Sequence, residues 1–240
     1  MDGTIYQDGK MTAEKLVSIA EKEVGYLEKK SNMSLYDKTA NAGYNNYTKY
    51  GADYDVWFTY PNFKLNGDAW CAGFVTWCFV NAFGLDGFKK LMFNYHYCPT
   101  GESEFKKRGE WLSRNDGGAR GDIIFFQNSE GISNHTGIVT GGTALYIYTI
   151  EGNTNGGVGV EPNGGGVFVK SYLRTNPAIK GFGRPKYEQP VKIDELRAVP
   201  PWYTESQVWV MEKGISDGTR PEEPVTRAEV WTMLQRLSKL

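Results

Sequence analysis

Apolar residues recur at helical spacing over residues 12–27, where Leu16, Ile19, Ala20, Val24 and Leu27 form one stripe. The spacing predicts an amphipathic opening helix. Residues 31–66 mix Asn, Tyr, Gly and Asp without periodicity and read as loop with short helical turns. Periodicity returns at 69–83. There Phe74, Val75, Cys78, Phe79 and Ala82 make the segment apolar over most of its circumference, which predicts a central, buried helix. Asp68 stands at the N-cap position and puts Cys71 near the third helical residue. From Gly121 the period falls to two, and strands are predicted at 122–127, 136–140, 145–150, 167–170 and 181–184, with Gly141 and Gly142 as a turn. Helices first and short neighbouring strands after predict an α+β fold with an antiparallel sheet.

The pattern breaks again at 187–200, where Pro190 and Pro200 stand among charges and mark a linker between a first domain, 1–186, and a small helical module, 201–240. In that module Thr226 and Glu229 form a capping box, and Val225 and Val230 are spaced as a hydrophobic staple. Val230, Met233, Leu234 and Leu237 follow as one stripe. So short a segment makes a marginal core by itself.

Composition narrows the chemistry. A net charge of -1 gives no basic footprint for nucleic acid. Aromatic residues are 14% of the chain, which suits carbohydrate or peptide ligands. The first residues lack the charged and apolar regions of a secretory signal, and no segment approaches the roughly 18 uninterrupted apolar residues of a membrane span. The expectation is a protein made in the cytosol that inserts in no membrane. Three cysteines, an odd number, argue against a disulfide framework, and their spacing matches no zinc pattern. Cys78 lies two turns from Cys71 on nearly the same helical face; about 10 Å along the axis is too far for a disulfide, so Cys78 reads as packing.

Cys71 carries the chemical signal. The start of a helix bears about half a positive charge and unpaired N–H groups, which favour thiolate over thiol. Only His96 and His135 can serve a histidine-dependent reaction, and His96 reads as surface or packing. His135 opens one strand of a predicted hairpin, and Glu151 closes the other, with Asn153 just beyond. Pairing brings position 135 opposite 149–151, so His135 is flanked by Glu151 or Asn153. If the Cys71 helix packs on that sheet face, nucleophile, base and orienter fall in line. His135 then takes the thiol proton and returns one to a leaving amine, and the Cys71 N–H serves an oxyanion. Activity is expected to fall at acid pH as His135 becomes protonated.

Three segments resemble the CHAP family of cysteine, histidine-dependent amidohydrolases/peptidases. They are Asp68-Ala69-Trp70-Cys71-Ala72-Gly73-Phe74-Val75, then Gly121-Asp122-Ile123-Ile124-Phe125-Phe126 with Asn134-His135-Thr136-Gly137-Ile138-Val139, and Ile150-Glu151-Gly152-Asn153-Thr154. The resemblance implies a papain-like fold over about residues 12–186 and cleavage of an amide bond in bacterial peptidoglycan. It supports Cys71 as nucleophile, His135 as base and Glu151 as orienter; family members use either an acid or an amide there, so Asn153 stays open. Some relatives carry a calcium loop before the Cys, but the oxygen spacing around Asp53 and Asp55 is wrong for it. No metal or cofactor is expected. Trp70, with Trp57 and Trp77, is a candidate to line the substrate cleft, and the glycines of 156–166 read as a mobile loop beside it.

The tail resembles a single S-layer homology motif, through Gly214-Ile215-Ser216-Asp217-Gly218-Thr219-Arg220-Pro221 and Pro224-Val225-Thr226-Arg227-Ala228-Glu229. That likeness implies binding to a secondary cell-wall polymer, with Arg220 and Arg227 as anion contacts. One motif where such proteins commonly use three suggests homo-oligomers through 201–240. The combined resemblance is to a phage endolysin, held in the host cytoplasm and released to the wall without a signal peptide, acting as an N-acetylmuramoyl-L-alanine amidase or a stem-peptide endopeptidase. The rivals are a wall-binding protein with a dead catalytic half and an acyltransferase using the same triad.

Overall fold

A computed structural model describes residues 4–5, 10–188, 191–192, 201–216 and 226–239. Two compact units divide the chain. In one, residues 1–12 group with 188–240, because strand β1 (Thr4–Ile5) pairs antiparallel with a two-residue strand at Val191–Lys192. The other spans Ala13–Tyr187.

In the larger unit the opening helix α1 (Ala13–Glu23) buries Leu16, Val17 and Ala20. The region that lacked periodicity contains a regular helix, α2 (Lys49–Trp57). Thr48 caps it, its hydroxyl accepting from the Gly51 N–H at 3.0 Å. Its buried face is made of Tyr50 and Tyr54, both fully enclosed, and tyrosines do not register as an apolar stripe. Helix α3 (Cys71–Leu91) is the central element, longer than the sequence pattern suggested. Gly84 continues it across a kink with φ 69, a left-handed conformation open to glycine at little cost. By length and composition α3 is apolar enough to cross a membrane, but most of its surface is buried in the unit's core. Helix α4 (Cys98–Lys107) follows, with proline in its first turn.

The strands are β2 (Trp111–Ser113), β3 (Ile123–Gln127), β4 (Ser133–Gly142), β5 (Tyr146–Thr154), β6 (Gly166–Leu173) and β7 (Ile179–Gly183). They form one six-stranded antiparallel sheet in the order β2-β7-β3-β4-β5-β6. This is the mixed α+β, papain-like class expected from the sequence. Ile124, Phe126, Val139, Ile147, Tyr172 and Phe182 fill a cluster on one face. Helix α3 lies on the opposite face, where a side chain at Gly152 would collide with Phe74 and Trp70.

In the smaller unit, α5 (Pro201–Glu212) and α6 (Arg227–Leu237) are the described helices. The capping box forms: Thr226 Oγ1 accepts from the Glu229 N–H at 3.2 Å, and the Glu229 carboxylate accepts from the Thr226 N–H at 2.7 Å. Val225 of the expected staple lies outside the described residues.

Candidate active site

Helix α3 begins one residue after Trp70, so Cys71 is its first residue and not its third. Asp68 does not cap the helix; its carboxylate accepts from the adjacent Ala69 N–H at 2.7 Å. The shift matters, because the first helical N–H has no partner within the helix, and here it belongs to the cysteine itself. Trp70 fixes this starting point. Its indole is fully buried, stacks on Tyr50 at 5.2 Å and donates from Nε1 to Glu28 Oε2 at 2.8 Å. Against the cleft-lining role expected for Trp70, its ring has no exposed surface and is packed where it anchors the helix start. Trp77 is similarly enclosed and donates to Asp53. Asp55 accepts from the N–H groups of Leu65 and Asn66.

His135 and Glu151 meet inside the sheet. The His135 Nε2–H donates to Glu151 Oε2 at 3.0 Å, and both side chains are fully buried. The ladder sets Ile138 opposite Ile150, so Glu151 stands across from Gly137 and reaches His135 diagonally. That reach needs a bare backbone at Gly137, where a side chain would overlap the Glu151 methylene. Two hydroxyls hold the carboxylate: Thr149 donates to Oε1 at 2.5 Å and Tyr172 to Oε2 at 3.1 Å. Asn153, with φ 56, turns its side-chain amide toward the Pro162 carbonyl at 3.3 Å. The carboxylate, not the amide, is thus the group on the His135 ring.

Alternation along β5 puts Gly152 toward α3 and Glu151 on the other face. The expected packing of the Cys71 helix on the face of His135 and Glu151 is therefore not what forms. It is the tip of α3, not its length, that meets the pair through Cys71. Glu151 leaves His135 Nδ1 free, and among the described residues it makes no well-formed hydrogen bond, though the Cys71 thiol is the ring's other polar neighbour. It is the atom available to move a proton at the Cys71 sulfur.

A third group stands here that the sequence reading did not single out. Cys98, the first residue of α4, lies with its Sγ 3.8 Å from Cys71 Sγ. The Cys98 thiol, acting as donor, holds the Cys71 thiol well below its usual range; burial opposes this, and His135 and the Ala72 N–H reinforce it. Burial works against charge on His135, but Cys71 and Glu151 outweigh it and push its pKa up to about 9. Both directions favour charge separation between the Cys71 sulfur and the His135 ring.

Phe63, Asp68, Ala69, His96 and Tyr97 line a cavity of about 260 Å³. Asp68 and Ala69 stand just before Trp70 and Cys71, and His96 and Tyr97 directly precede Cys98, so the cavity lies near both helix starts. His96 stacks on Phe63 at 4.2 Å. The glycine-rich loop is tied down: Lys170 donates to the carbonyls of Asn155 and Gly157, and the Gly164 N–H donates to Asn153 O. Arg227 is exposed at the start of α6, and Arg220 lies outside the described residues. Among the described residues no His, Cys, Asp and Glu group is arranged to hold a metal ion.

A buried thiol, an imidazole ring and a carboxylate stand in succession, an arrangement suited to thiol chemistry on acyl groups. The CHAP domain family model matches residues 63–153, which include Cys71, Cys98, His135 and Glu151. A CHAP domain points in general to amidase or peptidase activity on peptidoglycan. No curated protein and no solved structure matches the chain. Tyr172, which completes the grip on Glu151, lies beyond the matched segment.

Proposed function

We propose that this chain hydrolyses an amide bond of bacterial peptidoglycan through a covalent Cys71 intermediate. The observation that carries the reading is the buried succession of Cys71, His135 and Glu151. Cys71 thiolate attacks the amide carbonyl carbon, and charge passes to the carbonyl oxygen, where the Cys71 N–H at the helix start is the nearest backbone donor. His135 gives its Nδ1 proton to the leaving nitrogen as the C–N bond breaks, and a thioester remains. His135, now neutral, takes a proton from water; hydroxide attacks the thioester, and Cys71 leaves as thiolate with the carboxylic acid released. Glu151 keeps the ring oriented and offsets its charge through both steps. The cavity beside the two helix starts is the entry for the peptide.

The scissile bond is either the N-acetylmuramoyl-L-alanine linkage or one within the stem peptide, and the chemistry is common to both. The finer reading is an endolysin that waits in the host cytoplasm and acts on the wall once released. The smaller unit then holds a secondary wall polymer, with Arg220 and Arg227 as anion contacts. On α6, Val230, Trp231, Leu234 and Leu237 are exposed among the described residues and favour a second copy of this chain as their cover. A monomeric mass in light scattering at micromolar protein would remove that oligomer. The main test is purified cell wall digested with wild type and with Cys71→Ala. Wild type should release amine groups, and mass spectrometry of the fragments names the bond cut. A Cys71→Ala variant that still clears walls overturns the mechanism. Products joined to an added amine, with no free acid, would instead favour the acyltransferase.

A further inference from the structure

We propose that Cys71 and Cys98 form a redox couple, in which peroxide oxidation of the nucleophile is captured as a reversible intramolecular disulfide. The hydrolytic scheme has no step for Cys98, yet its sulfur is the nearest sulfur to Cys71, at 3.8 Å. A disulfide needs about 2.05 Å, so the two atoms must close by roughly 1.8 Å, within reach of side-chain rotation and small shifts of two helix ends. Each cysteine is the first residue of its helix, α3 and α4. Each therefore sits where the helix dipole favours a sulfur anion. Each also keeps about 5% of its surface exposed, whereas Cys78 has none, so a molecule as small as hydrogen peroxide reaches the pair and not the third thiol.

The chemistry balances in two steps. Cys71 thiolate attacks one peroxide oxygen; an S–O bond forms, the O–O bond breaks and hydroxide leaves, giving a sulfenic acid as peroxide is reduced. Cys98 sulfur then attacks the Cys71 sulfur; the S–S bond forms, the S–O bond breaks, and the departing hydroxide takes the Cys98 proton as water. The first step prepares the second. While Cys71 is a thiolate, its charge and hydrogen bond keep the Cys98 thiol protonated and raised well above its usual range. Converting Cys71 to a neutral sulfenic acid removes the charge that opposes a Cys98 anion, leaving burial as the remaining opposition, and the departing hydroxide takes the Cys98 proton. The consequence is protection: the nucleophile is held in a form that a dithiol reductant restores, ahead of the irreversible sulfinic and sulfonic acids.

The test treats the folded, full-length chain with a small molar excess of hydrogen peroxide. It is then quenched with acid, alkylated under denaturing conditions, and analysed by intact mass and by tandem mass spectrometry of peptides. Wild type should fall by about 2 Da before alkylation, then take one alkyl group, at Cys78, in place of three, show one Cys71–Cys98 link, and regain its mass and thiols in dithiothreitol. Cys98→Ser should instead gain about 32 or 48 Da at Cys71, with no recovery in dithiothreitol. The wild-type link is read without any variant, so a poorly folding Cys98→Ser does not spare the proposal. Cys71 found as sulfinic acid beside a free Cys98 thiol in wild type would overturn it, and so would a Cys71–Cys78 link. Neither result depends on wall hydrolysis, so this inference and the proposed function stand or fall separately.

Discussion

Cys71 and Cys78 sit on one helix, two turns apart, and both are buried. Their thiols move in opposite directions. Burial pushes Cys78 well above the usual thiol range, and the nearby Glu23 carboxylate adds to it. Cys71 is also desolvated, yet the Cys98 thiol, the His135 ring and the Ala72 N–H carry it well below that range. Burial alone therefore makes an inert core sulfur. What lowers a buried thiol is a set of donors aimed at the anion, and in α3 only the first turn can offer its own N–H groups.

The sharpest way to break this contrast is to exchange the two roles by substitution. Cys71→Ala should lower wall hydrolysis by roughly 10⁴-fold or more, while Cys78→Ala should keep the rate and lose only stability. An equal loss of rate in both would show that α3 needs its sulfurs for packing alone. Next in size is the carboxylate. Glu151→Gln should cost roughly 10²–10⁴-fold, because an amide no longer balances the imidazolium. Gly137→Ala should cost roughly 10–10²-fold, since its methyl group displaces the Glu151 side chain while leaving every reacting group in place. A wild-type rate in Gly137→Ala would remove the diagonal reach from the argument.

The pH profile sharpens the contrast further. The ion pair exists only above the depressed Cys71 pKa and below that of His135. Activity should fall as pH rises through about 9, where His135 loses its proton. It should fall on the acid side only where the Cys71 thiolate is protonated, well below the ordinary thiol range. An acid limb set by sulfur lies well below the ordinary thiol range, whereas one set by the His135 ring, as the sequence suggested, lies near neutral pH, so the profile separates the two. Alkylation by iodoacetamide followed against pH should show Cys71 reacting far below the pH at which any other thiol does. The smallest effect is at the anchor. Trp70→Phe should destabilise the fold by about 1–3 kcal/mol in chemical denaturation, because Glu28 Oε2 loses its indole donor in a buried place. Its rate should drop less than that of Gly137→Ala.

The parts of the site legible in the sequence are those fixed by short-range rules. Cys71 at a helix start, and His135 and Glu151 on the arms of one hairpin, follow from periodicity and strand pairing. Cys98 was not legible, because it comes to Cys71 only through the docking of two helix tips that are 27 positions apart. Tyr172 was hidden by parity across a third strand, β6, whose register no local signal sets. Gly137 reads as an ordinary strand glycine until the diagonal path of Glu151 is known. Helix α2 escaped because its inward face is tyrosine, and the helix start at Cys71 was misplaced by two residues because Asp68 has the chemistry of a cap without the geometry.

Gly152 gives the sulfur its height. Beneath the first turn of α3 the strand offers nothing but main chain, and the rings of Trp70 and Phe74 rest directly on it. The helix therefore rests on a hard stop only a residue or so from Cys71. A methyl group placed under the stop would lift it directly.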